Sequence, residues 1–272
     1  MWTFRVDNNK LYLLFTLFIL LCCNSSVKGL SFDPSAAPGP LPGRTQIPVL
    51  CYHQVRDWKS TDSKYASVFI VPTDSFRAQM KMLHDNGYHS ISPDQLMAYL
   101  VSGAQLPPKP FLLTFDDGTD QQYSNALPVL NQYGFKATFF IMTVTIGHPG
   151  YLNKSQIQDL AKQGHVIGCH TWNHQKVTKY TEQDWVKEIE KPNATLQNIT
   201  GSPVKYFAYP FGLWNGAAVE KIKKYGFTAA FQLVTKADPQ NKLYTIRRML
   251  IDGHWKTREL LSRMEKWAQQ EF

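Results

Sequence analysis

The most restrictive feature of this chain is a repeated pattern: an amphipathic helical stretch, a glycine followed by an aromatic residue or histidine, then a short apolar run. It occurs at residues 76–86 before Gly87-Tyr88, 123–133 before Gly134-Phe135, 155–163 before Gly164-His165 and 219–225 before Gly226-Phe227. Glycine just past a helix adopts the left-handed cap conformation without steric cost. The apolar runs at 137–142, 165–169 and 228–233 have the length and composition of buried strands. Alternation of helix and strand predicts parallel βα units. With 272 residues, 43% hydrophobic and 13% aromatic, the chain can bury one sizeable core, at a length common for a single α/β barrel domain.

The N-terminus reads differently. Arg5 and Lys10 precede an apolar run at 11–21, followed by Cys22 and Cys23, the layout of a secretion signal over residues 1–29. The run is shorter than the ~20 apolar residues a membrane span needs, although an uncleaved anchor is the alternative. Cys22 or Cys23 resembles the lipid-modified cysteine of a bacterial lipoprotein, without the small residues usual before it. The chain is therefore expected to be exported: periplasmic, an outer-membrane lipoprotein, or at the cell surface or secreted. Membrane association would come through the anchor or lipid. Residues 30–47, rich in Pro, Gly, Ala and Ser, read as a linker, and 48–272 as the folded domain. Without the signal only Cys51 and Cys169 remain, two core thiols and no disulfide framework. The formal charge of +8 is scattered, with no basic block or nucleic-acid motif, so nucleic acid is excluded as a partner. Nothing assigns an oligomeric state.

In parallel βα folds, ligands bind beyond the C-terminal ends of strands. Four predicted strand ends carry polar or turn residues. Residues 48–52 lead to His53; 111–115 lead to Asp116-Asp117-Gly118; 165–169 lead to His170 and His174; 205–208 lead to Tyr209-Pro210-Phe211-Gly212. His170 and His174, four apart, can present two imidazoles to one metal. Adjacent acids at an apolar strand end are costly unless a metal or hydrogen bonds compensate them. Together the clusters offer a His, His, Asp set for a divalent ion and a spare carboxylate, as metal-assisted hydrolysis requires. A general acid must still protonate the leaving amine.

Thr114-Phe115-Asp116-Asp117-Gly118 with His170-Thr171-Trp172-Asn173-His174 resembles the first two motifs of the polysaccharide deacetylases, the NodB-like group or carbohydrate esterase family 4, over about residues 48 to 248. The resemblance implies a distorted (β/α) barrel of about seven parallel strands. It implies that Asp116 is the base and that Asp117, His170 and His174 hold a divalent ion, zinc first, with cobalt, nickel or iron as alternatives. Tyr209-Pro210-Phe211-Gly212 resembles the third motif, which makes the Phe211 N–H the candidate oxyanion donor, with Tyr209 beside it. Trp172 either walls the site or packs. Ala208 stands where an arginine often braces the catalytic Asp; Arg247 or Arg248 is the candidate substitute. No C-terminal Leu-x-His motif is found. Instead Leu50-Cys51-Tyr52-His53-Gln54-Val55 resembles the displaced histidine of the subgroup acting on poly-β-1,6-N-acetylglucosamine, so His53 is the candidate general acid and His254 the runner-up.

The expected activity is metal-dependent hydrolysis of N-acetyl groups from an N-acetylglucosamine-containing polysaccharide, releasing acetate, with acetylated polysaccharide as the partner. The alternatives are an O-acetyl esterase acting on xylan-like or peptidoglycan substrates, and a carbohydrate-binding pseudoenzyme, the latter motivated by Ala208 and the missing motif.

Overall fold

The computed structural model describes residues 39–233 and 236–272. The expected signal, Cys22, Cys23 and the first part of the linker lie outside the described residues. Ten strands follow in chain order: β1 (Val49–Tyr52), β2 (Gln54–Val55), β3 (Ile70–Val71), β4 (His89–Ile91), β5 (Pro110–Phe115), β6 (Thr138–Ile141), β7 (Val166–Cys169), β8 (Tyr206–Ala208), β9 (Ala229–Phe231) and β10 (Met249–Leu250). Seven of them run in the order β10-β1-β5-β6-β7-β8-β9, every pair parallel. β4 pairs with residues 110–112 of β5 and β6 with residues 114–115, so β4 and β6 follow one another along the same edge. β2 and β3 form a separate parallel pair.

The open edges of this sheet are drawn together by the segment before β10. Phe231 bridges to Ile246 in parallel, Arg248 N–H donates to Leu233 O at 3.1 Å, and Met249 and Leu250 then pair with Leu50 and Cys51. One stretch of chain thus leans first on β9 and then on β1, and the sheet curls into the expected distorted barrel.

The helices form where the glycine punctuation predicts. Thr73–Asp85, Leu127–Tyr133, Lys154–Lys162 and Gly216–Lys224 end just before Gly87, Gly134, Gly164 and Gly226, all of which have positive φ. Each helix buries an apolar stripe at helical spacing, for example Phe76, Met80 and Leu83. Inside, Phe115 and Phe139 stack at 5.0 Å. A methyl group at Gly168 would overlap the Phe140 ring, so only glycine lets that ring lie flat across β7.

The fold starts earlier than the expected boundary at Pro48. Leu41 N–H donates to Leu100 O and Gln46 N–H to Gln270 O, both at 2.8 Å, and Thr45 bridges Glu271. The second half of the expected linker is held because these backbone groups find acceptors on the domain.

His165, at the foot of β7, is 4% exposed, and its Nδ1 accepts the Ala137 N–H at 3.1 Å. Burial, helped by the Lys136 charge, lowers its pKa from the model-peptide range to about 4. A histidine depressed in the folded state adds nothing to pH dependence above ~6.5, where both states are neutral. Between ~6.5 and about 4 the unfolded chain takes a proton that the folded one refuses, so stability falls as pH drops. Urea unfolding at pH 7 and pH 5 should differ by about 2 kcal/mol more in the parent than in His165→Gln. Identical pH dependence in the two proteins would show that His165 does not titrate in this way.

Candidate functional site

Four strand ends meet at one pocket of about 390 Å³. β1 delivers His53, β5 delivers Asp116 and Asp117, β7 delivers His170 and His174, and β8 delivers Tyr209 and Phe211; all seven side chains line it.

Asp116 is 2% exposed and Arg248 fully buried. The guanidinium grips the carboxylate with both arms, NH1 to Oδ1 at 2.6 Å and NH2 to Oδ2 at 2.7 Å. Arg248 also donates from Nε to Gln232 O at 3.0 Å and from NH1 to Thr114 Oγ1 at 3.2 Å, and its plane lies over the Phe140 ring at 5.3 Å. Burial pushes the Asp116 pKa up, but the Arg248 charge and then His170 outweigh it, holding the carboxyl below the usual carboxylate range. The same pairing raises the Arg248 pKa against its own desolvation. Asp116 is therefore an ionised acceptor at any ordinary pH. The Cys51 thiol, whose pKa burial drives well up, donates to Asp116 Oδ2 at 3.5 Å.

Asp117 points elsewhere. Its Oδ1 lies 3.6 Å from His170 Nε2 and 3.8 Å from His174 Nε2, and the three groups offer donor atoms all within 4.8 Å of one another. His170 Nδ1 faces Ala208 O at 2.8 Å. A carbonyl can only accept, so Nδ1 carries a proton, and in the neutral imidazole Nε2 then presents a lone pair. His170 Nε2 and Asp117 Oδ1 are both buried without a hydrogen-bond partner. Two orphaned acceptors facing one point, with a second imidazole beside them, fit a divalent cation, which satisfies all three. Burial, then the neighbouring His170, lowers the His174 pKa to about 4, so His174 is neutral and able to ligate at neutral pH.

The backbone is bent to make this arrangement. Asp117 (φ 73°), Thr171 (φ 69°), His174 (φ 64°) and Phe211 (φ 60°) are four of the five non-glycine residues with positive φ among the described residues. Each such residue costs on the order of 1 kcal/mol. The loop is held against that strain by Thr171 Oγ1, which accepts the His174 N–H at 2.9 Å, and by Glu188, which accepts the Asn173 N–H at 3.2 Å.

His53 packs edge-on against Phe69 at 5.1 Å and offers a ring nitrogen within 4.8 Å of both an Asp116 oxygen and Cys51 Sγ. Four candidates do not line the pocket: Arg248, fully buried against Asp116, and three that point away. Trp172 turns away: its ring lies under Lys187 Nζ at 4.1 Å and faces a separate surface pocket with Thr143 and Lys191. Arg247 points out of the barrel, to Gln270 Oε1 at 3.1 Å and over Trp267 at 4.7 Å, because successive residues alternate across a strand and Arg248 takes the inner side. His254 stacks on Trp58 at 4.8 Å, bonds Asp252 Oδ1 at 2.8 Å and is half exposed. A side chain at Gly253 would collide with Ile70 O, so only glycine lets the backbone lie this close to β3. Unforeseen pocket residues are Tyr65, Phe69 and Leu250. Between β2 and β3, Tyr65 lies in the single helical turn Lys64–Ser67 and Phe69 just after it, a stretch too short for periodicity to mark them.

Residues 103–230 match the family "Polysaccharide deacetylase". The chain is 32% identical over 182 residues to the Bacillus subtilis (strain 168) protein YxkH, which carries the polysaccharide deacetylase name, covering 67% of this chain and 62% of that one. It therefore spans less than two thirds of YxkH's length. It is 28% identical over 225 residues to the poly-β-1,6-N-acetyl-D-glucosamine N-deacetylase of Staphylococcus aureus (strain MSSA476), covering 74% of this chain and 77% of that one. Among solved structures, the Streptococcus pyogenes deacetylase PplD in complex with acetate superposes with a TM-score of 0.74 at 24% identity, over 83% of this chain and 99% of that one, which shows a shared fold.

Removing Arg248 should expose how strongly the site depends on it. Arg248→Met leaves the Asp116 carboxylate buried and unpaired, an arrangement that costs about 3–5 kcal/mol. Adding Asp116→Asn to the same protein should recover part of that loss, a coupling that urea unfolding of the four proteins in a double-mutant cycle measures. A loss below about 1 kcal/mol in Arg248→Met would contradict the burial of the pair.

Proposed function

The chain belongs to the polysaccharide deacetylase family, and from that premise we propose that it hydrolyses N-acetyl groups of an N-acetylglucosamine-containing polysaccharide, releasing acetate. The observation that carries this reading is the division of labour between adjacent carboxylates. Asp116 is ionised and clamped by Arg248, while Asp117 faces two imidazoles with its Oδ1 unpaired. A base and a cation site at touching distance are what amide hydrolysis by an activated water requires.

In this reading Asp117, His170 and His174 hold a divalent ion, zinc first. Such an ion, when bound, polarises the acetyl carbonyl and acidifies water. The chain's own residues supply the rest. Asp116, unable to rotate because Arg248 holds both oxygens, takes the proton of the attacking water. The Phe211 N–H, presented by a left-handed turn at the pocket wall, donates to the oxygen that gains charge as water adds to the carbonyl carbon. His53, across the pocket, gives a proton to the departing nitrogen as the C–N bond breaks, so that acetate and a free amine leave. Tyr209, fully buried, packed edge-on against Phe207 and with its hydroxyl unpaired, lines the pocket. The similarity to the Staphylococcus aureus enzyme, named for poly-β-1,6-N-acetyl-D-glucosamine, makes a β-1,6-linked polymer the first substrate to test.

The deciding experiment measures free-amine formation on β-1,6- and β-1,4-linked N-acetylglucosamine oligomers, with and without chelator. Chelation should abolish turnover and added zinc restore it. His170→Ala should lose metal and activity together; full metal occupancy in that variant would sink the ligand assignment. His53→Ala should keep its metal, lose about 10²-fold in turnover of amide substrates, and lose less on activated acetate esters, whose leaving groups need little protonation. Equal losses on both substrates would remove His53 from the role of acid.

A further inference from the structure

His53 occupies the single position between β1 and β2, beyond the strand pairing that orders its neighbours. Its backbone is held instead by a side chain. Gln122, fully buried, donates from Nε2 to His53 O at 2.8 Å and to Asp116 O at 2.6 Å. Both acceptors are carbonyls, so only the amide nitrogen can face them, which settles the orientation of the amide. Three residues on, Asn125 Nδ2 donates to Val55 O at 2.8 Å and secures the chain on the far side of His53. Both amides come from one π-helical turn, Gln122–Ala126, and residues three apart share a helix face.

We propose that Gln122 is a positioning residue that sets the separation between His53 and Asp116, and so the distance between proton donor and proton acceptor across the bound acetamide. This rests on the roles given to His53 and Asp116 above. The side chain touches neither substrate nor reacting atoms; it acts through the backbones of the two residues that do. One amide group ties the end of β1 to the end of β5 at the one residue of β1–β2 that the sheet leaves unpaired. An error of about 1 Å in the placement of catalytic groups costs up to about 10²-fold in rate.

Gln122→Glu keeps the shape of the side chain and replaces the shared donor with an oxygen that repels both carbonyls. The expected result is a fall in kcat of about 10- to 100-fold on N-acetyl oligomers, with KM within about twofold and metal content unchanged. Activated esters, which need His53 less, should lose less. Gln122→Asn, too short to reach both carbonyls, provides an intermediate variant should the glutamate impair folding, and its losses should follow the same pattern. Side-chain 15N–1H spectra of histidine-labelled protein read the same displacement without substrate: His53 resonances should move in either variant. Undiminished kcat in a folded variant, equal loss on amide and ester, or unmoved His53 resonances would each overturn the proposal. Absence of free-amine formation by the parent protein would instead refute the deacetylase reading, and the histidine spectra would still decide the role of Gln122.

Discussion

Two opposite charges buried at the centre of the barrel govern this structure. Removing a carboxylate and a guanidinium from water costs several kcal/mol per ion, and the Coulomb attraction offsets this only when geometry and hydrogen bonding are nearly complete. Here they are. Arg248 spends its donors on both oxygens of Asp116, on Thr114 and on the carbonyl of Gln232, and lays its face on Phe140. The bonded residues are 132 apart in sequence. Arg248 sits on the segment that leans on β9 and then pairs with β1, so the interaction that orients the candidate base also ties the closing segment of the barrel to β5.

The pair also explains how two adjacent carboxylates coexist at one strand end. With Asp116 turned inward to Arg248, the chain rotates into the left-handed region at Asp117 and Gly118, and the second carboxylate swings toward the histidines. Like charges that would repel each other are thus separated by direction, one neutralised by a guanidinium and the other left for a cation. The strained turns at Thr171, His174 and Phe211 belong to the same arrangement, for each sits just past a strand that the barrel holds rigid. Local strain of this kind persists because the surrounding ladder over-determines the backbone. Ala208, where a bracing arginine is usual in the resembling motif, contributes its carbonyl to His170 instead, and the brace arrives from another strand.

The polar interior has a further consequence for dynamics and chemistry. Asp116, Arg248, Gln122 and Thr114 are all fully or nearly fully buried, and they connect β1, β5 and the closing segment through hydrogen bonds that tolerate little displacement. Buried networks of this sort rigidify the groups they satisfy. The side toward solvent differs: of the residues lining the pocket, Phe211 is 51% and Tyr65 75% exposed.

What the sequence determined by itself was whatever short-range physics encodes. Gly87, Gly134, Gly164 and Gly226 end their helices because a left-handed cap is a property of one residue and its neighbours, and the order of helices and strands followed from the resulting pattern. His170 and His174 with one of Asp116 and Asp117 could be read as a set because strand ends in a parallel sheet must gather on one rim, and only the resemblance to the family's motifs singled out Asp117. Only the tertiary structure decided between Arg247 and Arg248, since which of two neighbours faces inward depends on the register with β1 and β9. It alone turned Trp172 outward to Lys187 and His254 outward to Trp58, and it alone brought Gln122 beneath His53. Those outcomes depend on contacts between residues from 15 positions apart, as for Trp172 and Lys187, to 132 and more, as for Asp116 and Arg248, and the energy of such contacts exists only once the barrel has closed.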